Sequence, residues 1–145
     1  MKKILFIFLV VFLYSCSNQS TPQSIQNVDA ALFEINSNKV NSIIIDVRTK
    51  EEFVSGHIYD ATNIDYYSSD FKEKLDLVKK DVPILVYCRS GGRSSRAANI
   101  MQSLGFTQVY NLSGGIGAWE DSGFDVINSR YCLLYTSDAA DECSC

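Results

Sequence analysis

Cys88 stands in a setting that favours a nucleophile. An apolar run, Ile84-Leu85-Val86-Tyr87, leads into the stretch Cys88-Arg89-Ser90-Gly91-Gly92-Arg93-Ser94. The thiolate, not the thiol, is the attacking form of cysteine, and nearby positive charge or a helix N-terminus lowers its pKa. This stretch offers both. Arg89 and Arg93 carry permanent charge, and Gly91 and Gly92 allow a turn with positive φ that gathers backbone N–H groups around one point. Ser94 and Ser95 are placed to cap a following helix whose N-terminus adds partial positive charge. The spacing predicts an anion cradle at the sulfur of Cys88 and a thiol with a lowered pKa.

Such a loop needs a strand before it and a helix after it, and the pattern supplies them. Ile84 to Cys88 reads as a buried strand. The segment from Ser94 to Phe106 reads as a helix with Ala97, Ile100, Met101 and Leu104 on one face and Gly105 just past its end. Upstream, Ile43-Ile44-Ile45 is a β-branched run of the kind buried on both faces of a parallel sheet. Thr49 and Glu52 form a capping-box pattern for a short helix closed by Gly56. A helix is expected from Val28, Ala31, Leu32 and Ile35, capped by Asn27 or Asp29. Another is expected from Phe71, Leu75 and Val78, opened by Asp70 and ended before Pro83. Thr107 to Leu112 is a third strand, running into Gly114-Gly115. Strands alternating with helices predict one α/β domain over residues 25–130, with a mainly parallel central sheet and helices on both faces.

Few other residues invite a chemical role. Asp46 and Arg48, at the end of the strand beginning at Ile43, read as structural support, ion-pairing to hold neighbouring loops. No cluster of His, Cys, Asp and Glu has metal-ligand spacing, and there is no phosphate-binding Walker loop. The net charge of −4 gives no basic surface for nucleic acid.

These motifs together resemble the single-domain rhodaneses, the sulfurtransferases. The loop Cys-x4-Arg is similar to their active-site loop. Ile43 to Ile58 resembles their Asp-Val-Arg, Glu-Phe and Gly-His-Ile block, Ala61-Thr62-Asn63-Ile64 their Ala-x-Asn-Ile, and Gly114 to Trp119 their Gly-Gly-x-x-Ala-Trp ending. The resemblance implies a rhodanese-like fold, no cofactor and no metal. It implies that Cys88 takes sulfur from a small sulfur-containing anion such as thiosulfate or polysulfide, holds it as a persulfide, and gives it to a thiol or cyanide. Backbone N–H groups of residues 89 to 93 hold the persulfide, with Arg89 meeting the donor and Arg93 bracing the loop. It also implies an architectural role for His57, the only histidine, and for Trp119 in the core or cleft wall. Related phosphatases and arsenate reductases use Cys-x5-Arg, one residue longer, so four intervening residues favour sulfur. A non-catalytic persulfide-binding or redox-sensing module is the alternative expectation, and a phosphatase or arsenate reductase the third.

The two ends of the chain read differently from its middle. Lys2 and Lys3, the apolar run Ile4 to Tyr14, and Ser15-Cys16 have the layout of a bacterial export signal over residues 1–15, with a lipobox-like cysteine. Cys16 is the expected site of lipid attachment, residues 16–24 the tether, and the cell envelope the expected location, with the membrane reached through the lipid. Residues 131–145 carry three of the five cysteines, and Cys132 to Glu142 resembles the translation of a sequencing adapter, so this tail is expected to be non-native. Cys88 is then the one thiol of the domain, which leaves no internal disulfide framework.

Overall fold

The computed structural model describes residues 24–128. The expected signal, Cys16, most of the tether and the C-terminal tail lie outside the described residues. Within them, five strands form one sheet in the order β1-β5-β4-β2-β3: β1 Ser24–Val28, β2 Ile43–Asp46, β3 Ala61–Asn63, β4 Pro83–Tyr87 and β5 Gln108–Leu112. All four pairings are parallel. The central strands alternate their apolar side chains between two cores. Ile45, Ile84 and Val86 face a core built with Phe71, Leu75, Ala97 and Met101. Ile44, Leu85 and Tyr87 face one built with Phe33, Ile116 and Trp119. Helices therefore cover both faces, as the buried runs required.

Five helices accompany the sheet among the described residues: α1 Ala30–Ser37, α2 Lys50–Ser55, α3 Phe71–Asp76, α4 Gly92–Ser103 and α5 Gly115–Asp121. α4 ends as its sequence predicts. Gly105 takes φ of 92° and donates to Gln102 O, while Phe106 N–H reaches back to Met101 O, closing the carbonyls that the last turn leaves unpaired. α2 carries the capping box expected of Thr49 and Glu52, with Gly56 at its end.

Three expectations needed correction. The first strand, β1, was not anticipated, and Val28 belongs to it rather than to a helix. An edge strand pairs on one side only, so Ser24-Ile25-Gln26-Asn27 carries no apolar run to announce it. In α1, capped by the Asp29 carboxylate, the buried residues are Ala30, Phe33 and Asn36, whereas Leu32 and Ile35 face solvent. Phe33 decides the helix's rotation because it fills the largest space, against Tyr87 and Trp119. Finally, α3 stops at Asp76, so the lysines after it lie beyond the helix, although Phe71 and Leu75 are buried as expected and Val78 packs against them.

Candidate active site

The polar groups of interest collect at the carboxyl ends of β2, β4 and β5, the edge of a parallel sheet where ligands bind. Cys88 follows the last residue of β4 and is buried. The chain then turns through Gly91, at φ of 94°, straight into α4. That turn brings the Gly91 N–H to 3.2 Å from Cys88 Sγ. The one O–H of Ser94 is shared between Sγ at 3.5 Å and Gly91 O at 3.1 Å. Burial alone pushes the Cys88 thiol up, but the bonds from the Ser94 hydroxyl and from the backbone of Ser94, Ser90 and Gly91 outweigh it, and the net shift is downward. Donors therefore meet at the sulfur where the spacing predicts an anion cradle.

Its parts differ from the expectation in three respects. Gly92 lies inside α4 and needs no positive φ, so Gly91 alone makes the turn. Ser94 and Ser95 do not cap the helix, because the chain enters it two residues earlier, and the Ser94 hydroxyl is turned to the sulfur instead. Arg93 does not lie free beside the thiol: its guanidinium grips Glu52 with two bonds of 2.7 Å each. Glu52 also accepts the Thr49 N–H in the α2 capping box, so one carboxylate ties α2 to the cysteine loop. The hydrogen bond from Arg93 is the main reason that its carboxyl is lowered to about 2. Arg89, in contrast, is exposed and makes no ion pair among the described residues.

A second glycine turn supports the loop from behind. The N–H of Ile116 bonds to Cys88 O at 2.9 Å, and that of Gly117 to Arg89 O at 3.4 Å. Gly115 sits against the same peptide so closely that a Cβ there would come within 2.4 Å of Cys88 O and 2.6 Å of Arg89 O. With φ of 63° as well, the position admits only glycine without a shift of backbone. Sequence reading placed Gly114-Gly115 in a turn but missed that this turn fixes the nucleophile. The doubled glycine was the available signal.

Asp46 and Arg48 form the structural pair expected of them. Arg48 bonds to Asp46 through its backbone N–H, Nε and Nη2, the last at 2.6 Å, and gives a further 2.6 Å bond to Gly56 O. Asn63 Nδ2 donates to Asp46 O and Arg48 O, joining the ends of β2 and β3. Burial works against the charge on Arg48, yet its bonds and attraction to Asp46 raise its pKa overall. Tyr87 completes this group and was not singled out from sequence. Its hydroxyl accepts the Ile58 N–H at 3.1 Å, and burial followed by the Asp46 charge pushes its pKa well above the ordinary phenol value. His57 lies away from the sulfur's bonding partners: its ring stacks on Phe53, Nδ1 meets Phe53 O, and its backbone bridges to Ile127. Trp119 is a buried core residue, not part of the cleft wall, and its indole N–H donates to Asp125 O at 2.9 Å.

Beside the loop lies a cleft of about 750 Å³. Arg89 and Ser90 bring the cysteine loop to its wall, while Cys88 itself is not on that wall. Gly56, Ile116, Glu120 and Val126 are among its other surfaces. Among the described residues no cluster of His, Cys, Asp and Glu forms a metal site.

Residues 29–122 match the family described as Rhodanese-like domain. The thiosulfate sulfurtransferase GlpE of Pseudomonas entomophila is 35% identical over 82 residues, 56% of this chain and 72% of that protein. The protein HIGH ARSENIC CONTENT 1 of Arabidopsis thaliana is 40% identical over 90 residues, which span 55% of this chain and 53% of that protein. The chain thus matches only about half the length of the Arabidopsis protein. Among solved structures, a rhodanese-related protein from Thermoplasma volcanium superposes with a TM-score of 0.62 at 29% identity, over 70% of this chain and 97% of the other.

Proposed function

Because the chain belongs to the rhodanese-like domain family, we propose that it is a sulfurtransferase with Cys88 as the sulfur carrier. The observation that carries this reading is the cradle at Cys88 Sγ, to which the Gly91 N–H donates and which shares the Ser94 hydroxyl with Gly91 O. A thiolate held by donors attacks the outer sulfur of a donor such as thiosulfate. The new bond joins Cys88 Sγ to that sulfur, the sulfur–sulfur bond of thiosulfate breaks, and its electron pair leaves with sulfite. The added sulfur, protonated or anionic, occupies the same cradle of N–H groups. An acceptor thiolate then takes the outer sulfur, and the electron pair of the broken bond returns to Cys88. Two half-reactions through one covalent intermediate give ping-pong kinetics.

Glu52 directs the division of labour between the arginines in this reading. Arg93, held by that carboxylate, braces the loop, and Arg89 is left to meet the anionic end of the donor. His57 has no part in proton transfer in this reading, since its ring is held on Phe53 and away from the sulfur's bonding partners. For residues 1–24 the reading includes an exported, lipid-anchored chain, to be checked by membrane fractionation of the protein and of Cys16→Ala.

Intact mass after incubation with thiosulfate tests the central claim. A gain of one sulfur, located to the Cys88 peptide, absent in Cys88→Ser and released by cyanide as thiocyanate, is expected. Persulfide formation with no turnover to cyanide or any thiol would favour a sulfur-binding module. Hydrolysis of an aryl phosphate by Cys88 in place of sulfur uptake would favour the phosphatase reading.

A further inference from the structure

The cleft beside the cysteine loop is electrically lopsided. Of the charged side chains on its wall, Arg48 is committed to Asp46 and Gly56 O, and Glu52 to Arg93. Three remain without an ion pair among the described residues: Arg89 at the loop, and Glu120 and Asp121 on the last turn of α5. The same cleft is walled partly by Ile116 and Val126, which lower the local dielectric and strengthen the field of the charges that line it. A dianionic donor needs only Arg89. Two uncommitted carboxylates lining the same cleft do nothing for that donor and act against any anion that comes near them.

From this we infer that the cleft is the acceptor's docking site and that Glu120 and Asp121 select thiols bearing an ammonium group over thiols bearing a carboxylate. The inference rests on the sulfurtransferase reading and goes beyond it, because that reading leaves the acceptor's charge open. The ammonium lies against Glu120 and Asp121 while its thiolate reaches the persulfide past Arg89 and Ser90, the cleft residues adjoining Cys88. In the transfer, the acceptor sulfur bonds to the outer sulfur of Cys88–S–SH and the Cys88 sulfur–sulfur bond breaks. Its electron pair stays on Cys88 as thiolate. The products are an acceptor persulfide and the starting enzyme, with no net oxidation.

The test follows loss of the Cys88 persulfide by peptide mass in the full chain, preloaded with a sulfur donor and then given one of two small thiols. Cysteamine and 3-mercaptopropionate are compared at equal thiolate concentration. The rate ratio of cysteamine to mercaptopropionate is expected to be roughly tenfold at low salt and to shrink as salt screens it. In Glu120→Gln/Asp121→Asn the ratio should fall by about three- to tenfold, as expected for exposed charges. In Arg89→Gln it should rise, because the carboxylate acceptor loses its attraction. A ratio near one in the unaltered protein, or one unchanged by the paired substitution, overturns the inference while leaving the sulfurtransferase reading intact. Failure of any donor to load Cys88 overturns both.

Discussion

The ends of β2 and β4 are neighbours in the sheet, with Asp46 opposite Tyr87 in register, yet they put their polar groups to opposite uses. At the end of β2 the strong groups are spent on one another and on the backbone: Asp46 on Arg48, and Arg48 on Gly56 O. After β4, the Gly91 N–H and the Ser94 hydroxyl converge on one sulfur that gives no bond in return. The first arrangement is closed and holds loops in place; the second is open and holds a reactive atom. One sheet edge therefore supplies both a rigid frame and a site, and the difference between them lies in whether the hydrogen bonds are mutually satisfied. Breaking each region should give different symptoms.

The largest loss is expected at the closed end. Arg48→Met leaves the Asp46 carboxylate buried with its counter-ion gone, a change that costs about 3–5 kcal/mol. Denaturant unfolding should show that loss, while the fraction still folded should keep its Cys88 alkylation rate. A large fall in alkylation within the folded fraction would mean that the two regions are not separable. Next comes Gly115→Ala, where the added Cβ meets Cys88 O and Arg89 O. Strain of this kind costs about 2–4 kcal/mol or displaces the loop. Here stability and Cys88 reactivity should fall together, unlike the case of Arg48.

Glu52 bridges the two regions, and its effect should be intermediate. Glu52→Gln removes a charge-assisted bond pair worth about 1–3 kcal/mol. Its carboxyl stands at about 2 in the folded protein against an ordinary value of 4.5. The sign follows from that depression: the stabilisation is fully present above the ordinary value and disappears as the pH falls through the folded one. The gap in melting temperature between the unaltered protein and Glu52→Gln should therefore be constant above about pH 5 and close toward pH 2. A gap that persists at pH 2 would remove the ion pair as its cause.

How far each region could be read in advance follows from the range of its interactions. The strand before Cys88, the Gly91 turn and the α4 stop are local patterns of propensity and backbone freedom, so the sequence displays them directly. The α2 capping box is local too, and it appears as predicted. What escaped notice lies across the chain: Glu52 to Arg93 spans 41 positions, and Ile58 N–H to Tyr87 spans 29. Spacing along the chain carries no signal for such pairs. The rotation of α1 escaped for the same reason, since Phe33 is set by its contact with Tyr87 and Trp119 rather than by the apolar pattern of its own helix. β1 escaped because an edge strand with a polar face has little pattern to read.

The smallest effect sharpens the comparison most, because it removes one donor to the sulfur together with one local bond to Gly91 O and leaves the closed region untouched. Ser94→Ala removes the hydroxyl that reaches Cys88 Sγ at 3.5 Å, while the shorter bond from Gly91 N–H, at 3.2 Å, remains. Loss of one donor to a thiolate favours the protonated form, so the midpoint of Cys88 alkylation against pH should rise. Below that midpoint the rate should fall by roughly two- to fivefold, the worth of one ordinary hydrogen bond. Well above it, where both proteins are fully thiolate, the rates should converge. Parallel profiles offset at every pH would mean that Ser94 shapes access to the sulfur rather than its charge. The donor set would then rest on the backbone alone, and the open region would owe its chemistry to the Gly91 turn.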